Sequence, residues 1–291
     1  MALRRLRNAF LASALLLASA PSAAYGGFQV FPSIVDVESD AGKAKVGTFN
    51  LQLNGERGRR FRVEVEDLSQ ASDGSFRYRD AGSGSRYSAA TWISALPRSF
   101  DGGPDRVQPI EYRVRIPRNA APGDYGASLT VKRSPTPGGS ASIVQAISVR
   151  LNVRVRGKTR ERAEIENLEV PKIAGKGPIT VSATIRNKGN TRLVFGRRNR
   201  GALEIVDQAK LAFRGVLLPG ERRRFDLRWE DPPLTARPRA RVQLEASGRR
   251  LTSDSSAFWV VPWRQAGAIL LIALAFLILL RGRRRSRAEA T

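Results

Sequence analysis

Strict alternation of apolar and polar residues is the feature that most constrains this chain. Phe61, Val63 and Val65 alternate with Arg60, Arg62, Glu64 and Glu66, and Tyr112, Val114 and Ile116 alternate with Glu111, Arg113 and Arg115. Tyr125, Ala127, Leu129 and Val131 alternate with Asp124, Ser128, Thr130 and Lys132. Val149, Leu151, Val153 and Val155 alternate with Arg150, Asn152, Arg154 and Arg156. Successive side chains of a strand point to opposite faces, so each run sets one face on a core and the other in water. Turn signals separate the runs: Asn54-Gly55, Asp73-Gly74, Gly82-Ser83-Gly84, Gly102-Gly103-Pro104, Pro122-Gly123 and Pro137-Gly138-Gly139. Short strands punctuated in this way predict an all-β fold of immunoglobulin-like β-sandwiches. SPTPGGS, 134–140, reads as a mobile hairpin tip.

The pattern restarts after the polar stretch RGKTRER, 156–162. Strands are expected near 163–170, 178–186, 202–206, 223–229, 239–246 and 256–261, with a Pro-rich connector, DPPLTARP, at 231–238. Two tandem sandwiches follow, a first at 25–156 and a second at 157–261.

The two ends read differently. Arg4, Arg5 and Arg7, an apolar run from Ala9 to Ala18 and small residues after it give the order of a signal peptide, 1–24. Ala266 to Leu280 is apolar throughout, and Trp259, Trp263, Arg281 and Arg283 stand where membrane-interface anchors belong. These features predict a transmembrane helix at 262–280 and a basic cytoplasmic tail at 281–291. The expected placement is therefore the cell membrane: a single pass, an extracellular ectodomain and a short tail inside.

Composition narrows the chemistry. Cys and His are absent, which removes thiol nucleophiles, His-based triads and most zinc and copper sites. Acidic clusters stand at Asp36, Glu38 and Asp40 and at Glu64, Glu66 and Asp67; Glu64 and Glu66 fall on the polar face of a strand, where solvation rather than catalysis is expected. Asp101 and Asp105 lack the dense ligand spacing of a calcium loop. With no P-loop and no GxSxG motif, the sequence predicts a non-enzymatic protein without cofactor or metal. The formal net charge of +24 suits a polyanion such as a wall polymer, and an Arg-rich composition explains it equally well. Nucleic acid is not expected outside the cell.

Binding residues are sought in SDGSFRYRDAGSGSRYSAATW, 72–92, where Arg77, Tyr78, Arg79, Arg86, Tyr87 and Trp92 lie in a Gly/Ser-rich setting. Aromatic faces pack on sugar rings and Arg forks pair with carboxylates, so this segment is the candidate contact with wall or partner. A second candidate is a basic sheet face formed by Arg113, Arg115, Arg150, Arg154 and Arg156. IPRNAAPGDYGASLTV, 116–131, is assigned to the scaffold instead. Pro122 and Gly123 make a rigid turn, and Tyr125 stands where a tyrosine corner holds the chain as it re-enters the sheet.

Several segments carry a family likeness: FQVFPSIVDV (28–37), SAATWISALP (88–97), YRVRIPRNAAPGDYGASLTV (112–131), VSATIRNKGN (181–190) and LLPGERRRFDLRWEDPP (217–233). With them the chain resembles the WxL-interacting proteins of Gram-positive bacteria over nearly its whole length. The resemblance implies a peptidoglycan-binding-like first sandwich, a second that binds a secreted or surface protein, and a membrane anchor. Arg237-Pro238-Arg239 departs from the pattern, standing where a second Gly-x-Tyr corner is expected. FQVFP is also similar to the start of periplasmic pilus-assembly chaperones, which share the sandwich architecture. The function expected from the first resemblance is wall and partner binding at the cell surface. The alternative is an exported chaperone-like or assembly accessory protein acting by β-strand addition.

Overall fold

The alternating runs become strands, and their order sorts them into two layers. The computed structural model describes residues 27–288 apart from 56, 57, 104, 105, 135–144, 176, 198, 199, 234, 235 and 247; in the C-terminal helix the described side chains are those of 263 and 267–278. The expected signal peptide, most of the 134–140 hairpin tip, Pro104 and Asp105, and the side chains of Arg281 and Arg283 lie outside these residues.

The first half holds β1 (Gly27–Phe31), β2 (Ile34–Ser39), β3 (Ala44–Asn54), β4 (Arg60–Gln70), β5 (Phe76–Asp80), β6 (Ile93–Leu96), β7 (Ser99–Asp101), β8 (Arg106–Arg115), β9 (Gly123–Arg133) and β10 (Ala146–Val155). One sheet runs β1-β3-β8-β6; the other runs β2-β10-β9-β4-β5, with β7 also on β4. Phe49, Leu51 and Leu53 of the first sheet meet Phe61, Leu129, Val131 and Leu151 of the second in one buried cluster. Pro32 has no N–H to give a ladder, so the leading strand breaks there. β1 therefore stays on β3, antiparallel, while β2 crosses to lie parallel to β10.

The second half holds β11 (Ala163–Glu169), β12 (Ile173–Ala174), β13 (Ile179–Asn187), β14 (Leu193–Phe195), β15 (Arg200–Ile205), β16 (Ala209–Ala212), β17 (Gly215–Leu217), β18 (Arg222–Trp229), β19 (Arg239–Ala246), β20 (Arg249–Thr252), β21 (Ser256–Ala257) and β22 (Trp259–Val260). The sheet β11-β13-β18 packs on β16-β15-β19-β20 around a second cluster that includes Ile185, Phe213, Phe225, Trp229 and Phe258. The described residues are thus mostly β, as the alternation requires, with one α-helix among them, α1 (Trp263–Ala288).

The expected membrane anchor is corrected here. Among the described residues no helix is long and apolar enough to cross a membrane. The single-pass placement, with its extracellular ectodomain and cytoplasmic tail, goes with it. Trp259 and Trp263, expected at a membrane interface, belong to the edge of the second half. Trp259 pairs with Ile173 and lies 5.2 Å under the Arg237 guanidinium. Trp263 borders Gly175, where an added Cβ would come within 2.7 Å of the indole nitrogen.

Candidate functional site

The corner at Pro122–Tyr125 joins the two halves. The Tyr125 hydroxyl donates to the Ala121 carbonyl at 2.9 Å, and its ring packs 4.5 Å from Trp92 and 5.9 Å from Tyr87. Burial pushes the phenol up from its ordinary value. Gly123 has φ 149°, and a Cβ there would meet the Asn190 carbonyl oxygen at 2.5 Å, so the residue must be glycine for the second half to approach. The Asp124 N–H donates to that same oxygen at 2.7 Å.

Asp124 itself is the centre of the joint. Its carboxylate accepts Arg154 Nε at 2.6 Å and Nη2 at 2.7 Å, and the Arg192 backbone N–H at 2.9 Å. The Arg192 guanidinium reaches on to Asp36 of β2 at 2.8 Å. On the other flank Gln70 acts as a two-way clip, donating to the Val216 carbonyl at 2.9 Å and accepting the Leu218 N–H at 3.1 Å. Sequence reasoning passed over Asp124, Gln70 and Asn190. The only local signal was a carboxylate on the polar side of a Pro-Gly corner.

The 72–92 segment does not form one surface. Trp92 is half-buried against the first core, and Tyr87 reaches across to the Gly189 carbonyl at 3.5 Å. Arg77, Tyr78 and Arg79 remain exposed on the edge strand β5. Arg86 is exposed, 5.6 Å from the Tyr87 ring. The basic face also divides. Arg113 and Arg115 lie on β8 in one sheet, whereas Arg150 and Arg154 lie on β10 in the other, with Arg156 just past its end. Arg154 is committed to Asp124, and Arg156 pairs with Glu38 at 3.0 Å and Asp40 at 3.6 Å. Arg150 stacks on Phe76 at 4.3 Å, where burial lowers its pKa.

Of the two carboxylates expected in solvent, Glu64 is partly exposed and Glu66 is inside. Glu66 is buried and hydrogen-bonded by Thr130, while Lys132 bridges it to Glu64 at 2.9 and 2.6 Å. Asp67 is buried and receives the Ser83 hydroxyl at 2.9 Å and that of Ser88. These bonds satisfy the buried carboxylates, and the arrangement reads as cross-strand fastening.

One stretch of backbone is left open. β10 pairs with β9 along its whole length, but with β2 only from Arg150 onward. The Arg150 N–H donates to the Ser33 carbonyl at 3.0 Å, which fixes that side as the one even-numbered residues face. Ala146 and Ser148 therefore turn their N–H and C=O groups to a side where no strand lies among the described residues. Charges and short length blunt other edges: β5 carries Arg77 and Arg79, and β6 has four residues. Ala146, Ile147, Ser148 and Val149 carry no charge, and the turn beside them exposes Phe31 and Ile34.

Asp36 makes the joint acid-sensitive. Burial opposes its charge, but the hydrogen bond and charge of Arg192, with Asn152, outweigh it and hold the carboxyl below its ordinary value of 3.8. A depressed folded pKa means the stabilisation is complete above that value and lost as pH falls through the folded one. The melting temperature should therefore fall below about pH 4. Asp36→Asn should flatten that acid limb while costing under ~1 kcal/mol at pH 7, since the carboxylate is largely exposed. Melting curves from pH 2 to 7 for both proteins check this.

No family model matches the chain, and no curated protein does. Solved structures similar to it include pilus chaperones and a PapD-like domain of human CEP192. They include the class 5 fimbriae chaperone CfaA, 10% identical with a TM-score of 0.45 over 78% of this chain and 98% of that one. The CsuC–CsuE chaperone–tip adhesion subunit complex of Acinetobacter baumannii Csu pili gives 12% and 0.42, over 81% and 98%. The Pseudomonas aeruginosa CupB2 chaperone gives 12% and 0.40, over 79% and 100%. Such likenesses concern the fold alone. The resemblance to WxL-interacting proteins is corrected: no family model supports it, and the similar structures named above include pilus chaperones and no WxL-interacting protein. The anchored wall-binding function falls with it, together with the peptidoglycan or wall-polymer partner. No helix among the described residues is long and apolar enough to cross a membrane, and the expected binding segment is split between core, joint and edge.

Proposed function

We propose that this protein is a chaperone-like or assembly accessory protein that holds an extended segment of another protein by β-strand addition. The observation that carries the reading is the uncharged, unpaired edge of β10 at Ala146–Val149, in line with β2 and beside exposed Phe31 and Ile34. Main-chain hydrogen bonds to Ala146 and Ser148 supply affinity that does not depend on partner sequence, and alternate side chains supply selectivity. The first unit, 25–156, offers the edge. The second, 157–261, is fixed against it through Asp124 and Gln70, so the edge is presented on a rigid two-unit frame.

A photoreactive residue at Ala146 or Ser148 in the full chain, made in its own cells, tests the reading. The same protein partner should cross-link from both positions and not from Thr48 on the other sheet, and Ser148→Pro should abolish the adduct. Proline there removes an N–H that faces the open side and leaves the β9 ladder intact. Equal cross-linking from Thr48, or adducts that survive Ser148→Pro, would overturn it.

A further inference from the structure

A cleft lies between the two halves, on the β5 side of the sheet β2-β10-β9-β4-β5 rather than at the β10 edge. It has a volume of about 480 Å³ and is walled by Arg79 and Arg86 from the first half and by Arg186 and Lys188 from the second. Arg79 and Arg86 have no carboxylate within ion-pair distance among the described residues. Asp67, which stands across the ladder from Arg79, is already taken up by Ser83 and Ser88. Arg186 and Lys188 have only partly exposed partners, Glu166 at 3.5 Å and Glu164 at 3.2 Å. Pairs of that kind are weak and exchange readily for a better anion. The Gly84-Ser85-Arg86 turn on the rim has backbone N–H groups with no acceptor among the described residues.

We infer that this cleft binds a carboxylate-rich peptide segment. The four cations come from four positions in two halves of the chain, which suits several carboxylates along a segment better than one phosphate. Asp67 and Glu221 also line the cleft, so a bound segment must seat its carboxylates on the cations and away from these two. The site needs no strand addition, so the two readings stand or fall separately.

The test is fluorescence anisotropy of labelled hexaglutamate with the full chain at low salt. Arg79→Glu combined with Arg86→Glu should weaken binding by about tenfold or more. Arg113→Glu with Arg115→Glu, on the other sheet, should change it by less than about twofold, as removing only distant charge does. Ser148→Pro should leave it unchanged. No binding by the wild-type chain, equal losses in both double variants, or displacement by inorganic phosphate at matched charge would overturn the inference.

Discussion

Asp124→Ala should remove about 3 kcal/mol of stability, a large share of what a two-unit β chain holds in reserve. The carboxylate is nearly buried, at 5% side-chain exposure, and Arg154 retains 25%, which sets the cost at the lower end for breaking a buried pair. Truncation strands the Arg154 guanidinium and leaves the Arg192 N–H without its acceptor. Arg154→Met should restore part of the loss when added to Asp124→Ala, because it removes the stranded charge. Urea unfolding followed by tryptophan fluorescence reads both effects. A loss below about 1 kcal/mol would mean the joint is solvated and the pair contributes as a surface pair does.

Tyr125→Ala should cost about 3–5 kcal/mol, the range for emptying an aromatic site in a core. Tyr125→Phe should cost about 1 kcal/mol, the net worth of one hydrogen bond to a backbone carbonyl. The difference separates ring packing against Trp92 and Tyr87 from the hydroxyl contact with Ala121. Thermal melting of both variants checks it. If Tyr125→Ala melted like the wild type while losing partner binding, the residue would belong to a site and not to the scaffold.

Much of the fold was legible because alternation is local: Val149, Leu151, Val153 and Val155 announce a half-buried strand without reference to any other part of the chain. What alternation omits is which sheet a strand joins. Arg113 and Arg150 look alike in sequence, yet they lie on opposite sheets, and only the pairing of β8 with β3 and β10 with β9 separates them. Tyr87 and Trp92 looked available because their segment is rich in Gly and Ser, but both are drawn inward by the Tyr125 corner. The role of Asp124 depends on a backbone N–H 68 residues away. The open edge was hidden for a similar reason, since it exists only because β2 begins opposite Arg150 rather than Ala146. At the C-terminus, aromatic and Arg flanks suggested a membrane span that the described helix surface does not support.

Amide hydrogen exchange at single-residue resolution along β10 tests strand addition most directly. In the free chain the amides of Ile147 and Val149, turned to β9, should be protected, while those of Ala146 and Ser148 exchange quickly; Arg150 should be slow because Ser33 accepts its proton. In the complex with the partner captured at Ala146, the Ala146 and Ser148 amides should become as slow as that of Arg150. Strand addition would be contradicted if those two amides were already protected in the free chain, or still exchanged freely with the partner bound.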